Sequence, residues 1–169
     1  DVQRTRGVAV KPENVVVTPG AKPIMFYALL ALIDPQDEVI YPNPGFPIYE
    51  SVIEFSGAQA VALPLQEEKA FRCSMAELES LITPRTRLLV INSPQNPTGG
   101  ILTRDDVKAI ADIARRRDLL VLSDEIYKDI LYEGEHASIM SEPGMLERTI
   151  LLDGFSKTYA MTGWRLGYG

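Results

Sequence analysis

RLLVINSPQNPTGGILTRDDVKAIADIARRRDLLVLSDE, residues 87–125, is the stretch that decides the fold class. It holds two near-continuous apolar runs, Arg87–Asn92 and Leu119–Leu122. Their length and composition are those of strands buried on both faces. Between them, Thr103–Arg117 places Val107, Ile110, Ala111 and Ala114 at helical spacing, with Thr103 as the predicted N-cap. Strand, helix and strand in so short a span make a βαβ unit. Such units build parallel sheets with helices on both faces.

The same alternation continues outward. Val15–Val17 reads as a short strand stopped by Thr18-Pro19-Gly20, and Ala21–Ile33 as a helix that tolerates Pro23 in its first turn. Glu38–Tyr41 is a strand, Pro42-Asn43-Pro44-Gly45 breaks the chain, and Phe46–Phe55 is a helix. Gln59–Leu63 is a strand, and Met75–Leu81 a short helix capped by Ser74. Thr149–Leu152 is another strand, and Leu166-Gly167-Tyr168 opens one more. The prediction is an α/β fold, three αβα layers around a mostly parallel sheet, in one domain over residues 1–169.

Composition narrows the function classes. Of 169 residues, 46% are hydrophobic and 24% charged, the values of a soluble globular domain. Seventeen Lys and Arg against 23 Asp and Glu leave a net charge of −6, which argues against a binder of nucleic-acid backbones. No apolar run has the length of a transmembrane helix. Asp1-Val2-Gln3-Arg4 does not look like a signal peptide, so a cytoplasmic setting is expected. A single cysteine, Cys73, excludes an internal disulfide and reads as a packed small hydrophobe. A single histidine, His136, excludes a His-pair metal site. Glu133–His136 reads as a solvated loop in which His136 has no role.

Ligands of doubly wound sheets bind beyond the carboxyl ends of the strands. Four such ends carry unusual groups. Gly20-Ala21-Lys22 is either a plain strand-to-helix turn or an anion site at a helix N-terminus. Asn96-Pro97-Thr98-Gly99 is either a Pro/Gly turn or a loop that aims an amide at a ligand. Asp124, with Tyr127 three residues on, is either a helix cap or a carboxylate that needs a partner. Gly154-Phe155-Ser156-Lys157 ends in a lysine that is either snorkelling into water or partly desolvated and nucleophilic. Arg165, beside Trp164, suits a phosphate, a carboxylate or a structural ion pair. One ligand would account for the whole set: a pyridine ring bearing an aldehyde and a phosphate arm.

In that order, Thr18-Pro19-Gly20-Ala21-Lys22, Asn92–Gly99, Ser123-Asp124-Glu125-Ile126-Tyr127 and Ser156-Lys157 through Thr162-Gly163-Trp164-Arg165 resemble the class I/II aminotransferases. These are fold-type I enzymes dependent on pyridoxal 5′-phosphate (PLP). The wording is similar to the branch of bacterial and archaeal aspartate and aromatic aminotransferases, over Val15 to Gly169. The resemblance implies that Lys157 forms the internal aldimine and then moves the substrate proton. It implies that Asp124 pairs with the pyridine nitrogen, and that Asn96 and Tyr127 hydrogen-bond the ring oxygen. Phe46 would stack on the ring, and Gly20, Ala21, Lys22, Ser156 and Arg165 would hold the phosphate. Asn43-Pro44 and Asn96-Pro97 are implied cis bonds. Two positions depart from the family pattern. Gly154 stands where relatives often carry a phosphate-binding Ser, and Phe46 where Trp or Tyr is common.

Family members are more than twice this long. The resemblance therefore implies that residues 1–169 are the PLP-binding large domain, without the N-terminal arm and the C-terminal small domain that clamps the substrate carboxylate. It further implies a homodimer acting on an amino acid and a 2-oxo acid, and little turnover by this piece alone. A C–S lyase, a cyclopropane-forming synthase, a decarboxylase and the PLP-sensing domain of a transcription regulator share the same lysine and aspartate, and stand as alternatives.

Overall fold

Residues Asp1–Gly169 are described by a computed structural model. In chain order the elements are α1 (Val2–Arg6), β1 (Val17–Thr18), α2 (Lys22–Leu32), β2 (Glu38–Asn43), α3 (Ile48–Phe55), β3 (Gln59–Gln66), β4 (Arg72–Cys73), α4 (Met75–Leu81), β5 (Thr86–Asn92), α5 (Arg104–Arg117), β6 (Leu120–Asp124), β7 (Thr149–Gly154) and β8 (Gly167–Tyr168). The βαβ unit at 87–125 forms as its pattern predicts. β5 and β6 pair in parallel, with Leu88 opposite Leu120 and Asn92 opposite Asp124.

The eight strands make one sheet in the order β1-β8-β7-β6-β5-β2-β3-β4. The central pairs β7/β6, β6/β5, β5/β2 and β2/β3 are parallel; β4 and β8 pair antiparallel with their neighbours. Alternation along β5 sends Leu88 and Val90 to one face and Leu89 and Ile91 to the other. The first pair packs with Met25 and Leu29 of α2 and Val52 and Ile53 of α3. The second packs with Leu78 of α4 and Val107, Ile110, Ala111 and Ala114 of α5. Helices thus cover both faces, and each fully buried Leu, Ile or Val contributes roughly 1.5–3 kcal/mol.

Helix α5 begins as expected. Thr103 Oγ1 accepts from the Asp106 amide at 3.1 Å, and Asp106 Oδ2 accepts from the Thr103 amide at 2.9 Å, closing a capping box. Asp105 and Asp106 in its first turn and Arg115–Arg117 in its last complement the helix dipole.

Several local expectations need correction. The first strand is Val17–Thr18 rather than Val15–Val17, because its pairing is set by β8, with Val17 opposite Tyr168 and Thr18 opposite Gly167. Ser74 stands at the N-cap of α4 but makes no side-chain capping bond. Two short elements carry no signal in the periodicity: α1, and β4, which pairs with the end of β3. Glu133–Glu135 are exposed as expected, but the His136 ring at the end of this loop turns inward. Its Nε2 is 3.0 Å from Glu125 Oε2, because that buried carboxylate draws the ring in. Cys73 is buried as expected, and burial pushes its thiol up to about 11. No helix is long and apolar enough to cross a membrane, and no cluster of His, Cys, Asp or Glu is arranged to hold a metal.

Candidate active site

At the carboxyl ends of β5, β6 and β7 lies a cavity of about 350 Å³. That is the size of a small-molecule site. Of the ten residues predicted from the sequence, nine line it: Ala21, Lys22, Phe46, Asn96, Asp124, Tyr127, Ser156, Lys157 and Arg165. The tenth, Gly20, forms the turn behind it. A Cβ there would collide with the Arg165 guanidinium, and the residue has φ 84°, which glycine alone adopts without strain.

Asp124 ends β6 and is 7% exposed. Its Oδ2 accepts from the Tyr49 hydroxyl at 2.6 Å and its Oδ1 from the Ile126 amide at 3.2 Å. Burial pushes its carboxyl up to about 6; the two hydrogen bonds oppose the shift, and the nearby Asp153 and Glu125 carboxylates add to it. No cation of the chain pairs with Asp124. A buried acid of this kind is set to receive a positively charged N–H from a ligand.

The far wall is an anion cradle. The Thr18 hydroxyl donates to the Gly20 carbonyl at 2.6 Å and fixes the turn that opens α2. None of the Gly20, Ala21 and Lys22 amides donates to another backbone group. Arg165 reaches over the turn, with Nη2 donating to the Pro19 carbonyl at 3.2 Å and Nη1 to the Thr162 carbonyl at 2.9 Å. Free amides at a helix start beside a guanidinium fork bind phosphate.

The remaining groups sit between cradle and carboxylate. Phe46 meets Tyr49 edge-on, with ring centroids 5.8 Å apart, and the Lys22 Nζ lies 5.5 Å from its ring centroid. The Asn96 amide N–H donates to Asn92 Oδ1 at 2.8 Å, which leaves the Asn96 side chain free toward the cavity. The Lys157 Nζ lies 5.6 Å over the Tyr127 ring. Lys157 is exposed at the cavity mouth, which meets the first of its two readings and not the partly desolvated one. It stands on a turn past β7.

Gly154 has a steric reason. A Cβ there would stand 3.0 Å from the Gly167 Cα and 3.2 Å from the Leu166 carbonyl, so β8 would have to give by a few tenths of an ångström to admit a serine. Asn43-Pro44 and Asn96-Pro97 are cis as expected, and Ser93-Pro94 is cis as well. Sequence reading missed Tyr49, Asn92 and Thr162. The signal for Asn92 was present, since it is a polar residue ending an apolar strand, as Asp124 is. Tyr49 follows Phe46 by three residues, one face of the helix predicted over Phe46–Phe55, although α3 itself begins at Ile48.

Comparison with known proteins gives the family and the fold. The family model "Aminotransferase class I and II" matches residues 2–169. An aspartate aminotransferase from Musicola paradisiaca is 47% identical over 92% of this chain and 39% of its own length. Aromatic-amino-acid aminotransferase 2 from Thermococcus litoralis is 43% identical over 98% of this chain and 43% of its own. The crystal structure of an aromatic aminotransferase from Pyrococcus horikoshii superposes with a TM-score of 0.96 at 42% identity, covering 99% of this chain and 45% of that one. The chain thus spans less than half the length of the proteins it matches.

Proposed function

This chain belongs to the class I and II aminotransferase family, and on that premise we propose that it is the PLP-binding domain of an aminotransferase. Its complete form exchanges an amino group between an amino acid and a 2-oxo acid. The observation that carries this reading is Asp124: a buried carboxylate without a cation partner, facing a cavity that also holds the Lys157 amine and a phosphate cradle.

The donor set fits PLP group by group. When bound, PLP supplies an electron sink for the pair left at the substrate Cα. Asp124 holds a proton on the pyridine nitrogen, and Tyr49 fixes the carboxylate that does so. Asn96 and Tyr127 donate to the ring oxygen. Phe46 would cover one ring face and shield it from water. The Gly20, Ala21 and Lys22 amides, Ser156 and Arg165 bind the phosphate. Lys157 would hold the cofactor and, as base and acid, would move the proton at the substrate Cα. Relatives named for aspartate and for aromatic amino acids match this domain over similar lengths. This supports a domain that handles the amino-acid part the substrates share, with side-chain choice made largely elsewhere in the enzyme.

We further propose a homodimer. Tyr27, Leu30 and Leu32 on α2 and Phe55 on α3 are exposed apolar side chains that a second copy would cover.

Absorbance titration with PLP tests the cofactor assignment. A new near-visible band is expected, with the phosphopyridoxyl mass on Lys157 after borohydride reduction, and neither with Lys157→Ala. Label on another lysine, or a band that survives Lys157→Ala, would falsify it. The 169-residue chain alone is expected to show little transamination.

A further inference from the structure

Behind the cavity lies a second, sealed set of charges. Alternation at the ends of β6 and β7 turns Asp124 and Leu152 toward the cavity and Glu125 and Asp153 toward the opposite face. Glu125 is 1% exposed and Asp153 is 0% exposed. Between them sits the guanidinium of Arg6, the last residue of α1, with its side chain fully enclosed. Arg6 Nε donates to Glu125 Oε2 at 2.9 Å, Nη2 to Asp153 Oδ2 at 2.7 Å and Nη1 to Thr5 Oγ1 at 2.7 Å. One planar fork therefore bonds the residue that follows Asp124 and the residue four before Lys157.

We infer that Arg6 is a positioning residue for Asp124. It ties the strand end that carries Asp124 to the strand that leads to Lys157, and its charge offsets the two carboxylates packed behind the site.

The surroundings leave Arg6 little substitute. Glu125 Oε1 accepts from Ser123 and Ser138, and its Oε2 is shared by Arg6 and His136. Burial alone would raise the Glu125 carboxyl; the His136 hydrogen bond and the Arg6 charge outweigh it and hold it below the usual range. Asp153 accepts from the Tyr168 hydroxyl at 2.8 Å and lies 3.3 Å from the Lys128 Nζ. Lys128 is itself engaged by Asp129 at 2.6 Å. Removing Arg6 leaves two enclosed carboxylates facing Asp124 from behind with one shared ammonium. The other ionisable groups around Asp124 are Tyr49 from α3, Tyr127 from its own segment, and Lys22, Lys157 and Arg165 around the cavity. None of them touches Glu125 or Asp153.

The test is a ¹³C-carboxyl NMR titration of Asp124, assigned by its loss in Asp124→Asn, in the chain without cofactor. The midpoint in the unchanged chain is expected near 6. Arg6→Met is expected to raise it by about one unit, the scale of one uncompensated neighbouring charge at an effective dielectric near 20. The triple variant Arg6→Met, Glu125→Gln, Asp153→Asn removes the charge and both carboxylates together. It is expected to titrate at or below the unchanged midpoint. Buried ion groups replaced together by neutral ones of similar shape are well tolerated, so the triple variant decides the matter even where Arg6→Met does not fold. An Arg6→Met midpoint within experimental error of the unchanged one, or a triple variant displaced upward, would overturn the inference. A second readout rests on the cofactor reading above: the pH midpoint of the PLP absorbance is expected to move the same way in Arg6→Met. The carboxyl titration needs no PLP, so the two ideas fail separately.

Discussion

A buried carboxylate without a cation is costly to fold, and Asp124 shows where the cost falls on the pH axis. Burial raises its carboxyl from 3.8 to about 6. Between those values the folded chain holds a proton that the unfolded chain has released, so stability falls as pH rises through about 4 to 6 and stays reduced above. Two units correspond to on the order of 3 kcal/mol. Asp124→Asn keeps the shape and removes the charge. Urea unfolding is expected to show the variant more stable than the parent at pH 7.5, with the difference shrinking toward pH 4. Equal stability at both values would mean the carboxylate is better solvated than its burial indicates. Asp124 was legible in the sequence because a charge at the end of an apolar run has few explanations. Tyr49 was not, because a tyrosine on the apolar face of a helix reads as core, and its hydroxyl matters only once β6 places a carboxylate beside it.

At the scale of elements, the βαβ unit was readable because α5 writes its own boundaries. Thr103 and Asp106 close its start, and Arg72 adds a bond to Asp106 at 3.1 Å. Thr103→Ala is expected to lower stability by about 1 kcal/mol, seen as an earlier midpoint in urea with an unchanged slope. An unchanged midpoint would show that Arg72 holds the helix start by itself. The elements that escaped reading, α1 and β4, are too short to carry a period, whereas β1 and β8 were read and only their bounds moved. β1, β4 and β8 are two residues each, and they exist because neighbouring strands offer them backbone partners. The close approach of β8 also makes a small residue at Gly154 the easiest fit.

For the whole molecule, the uneven surface is the feature with a measurable outcome. Val17, Tyr27, Phe55 and Trp164 are each more than half exposed although they are large and apolar. Sedimentation over rising concentration is expected to show a mass approaching twice that of the chain; a single monomer mass throughout would remove the case for a self-associating face. The sheet order has a second consequence, for biosynthesis. β1 has one neighbour, β8, whose residues stand at the other end of the sequence. A nascent chain emerging from the ribosome can pack α2 on α3 early, yet β1, just before the turn, has no strand partner until Gly167 and Tyr168 appear. The pairing that backs the turn meant for the phosphate therefore closes across the whole span from Val17 to Tyr168, and translation has to pass Tyr168 before that side of the cradle can form.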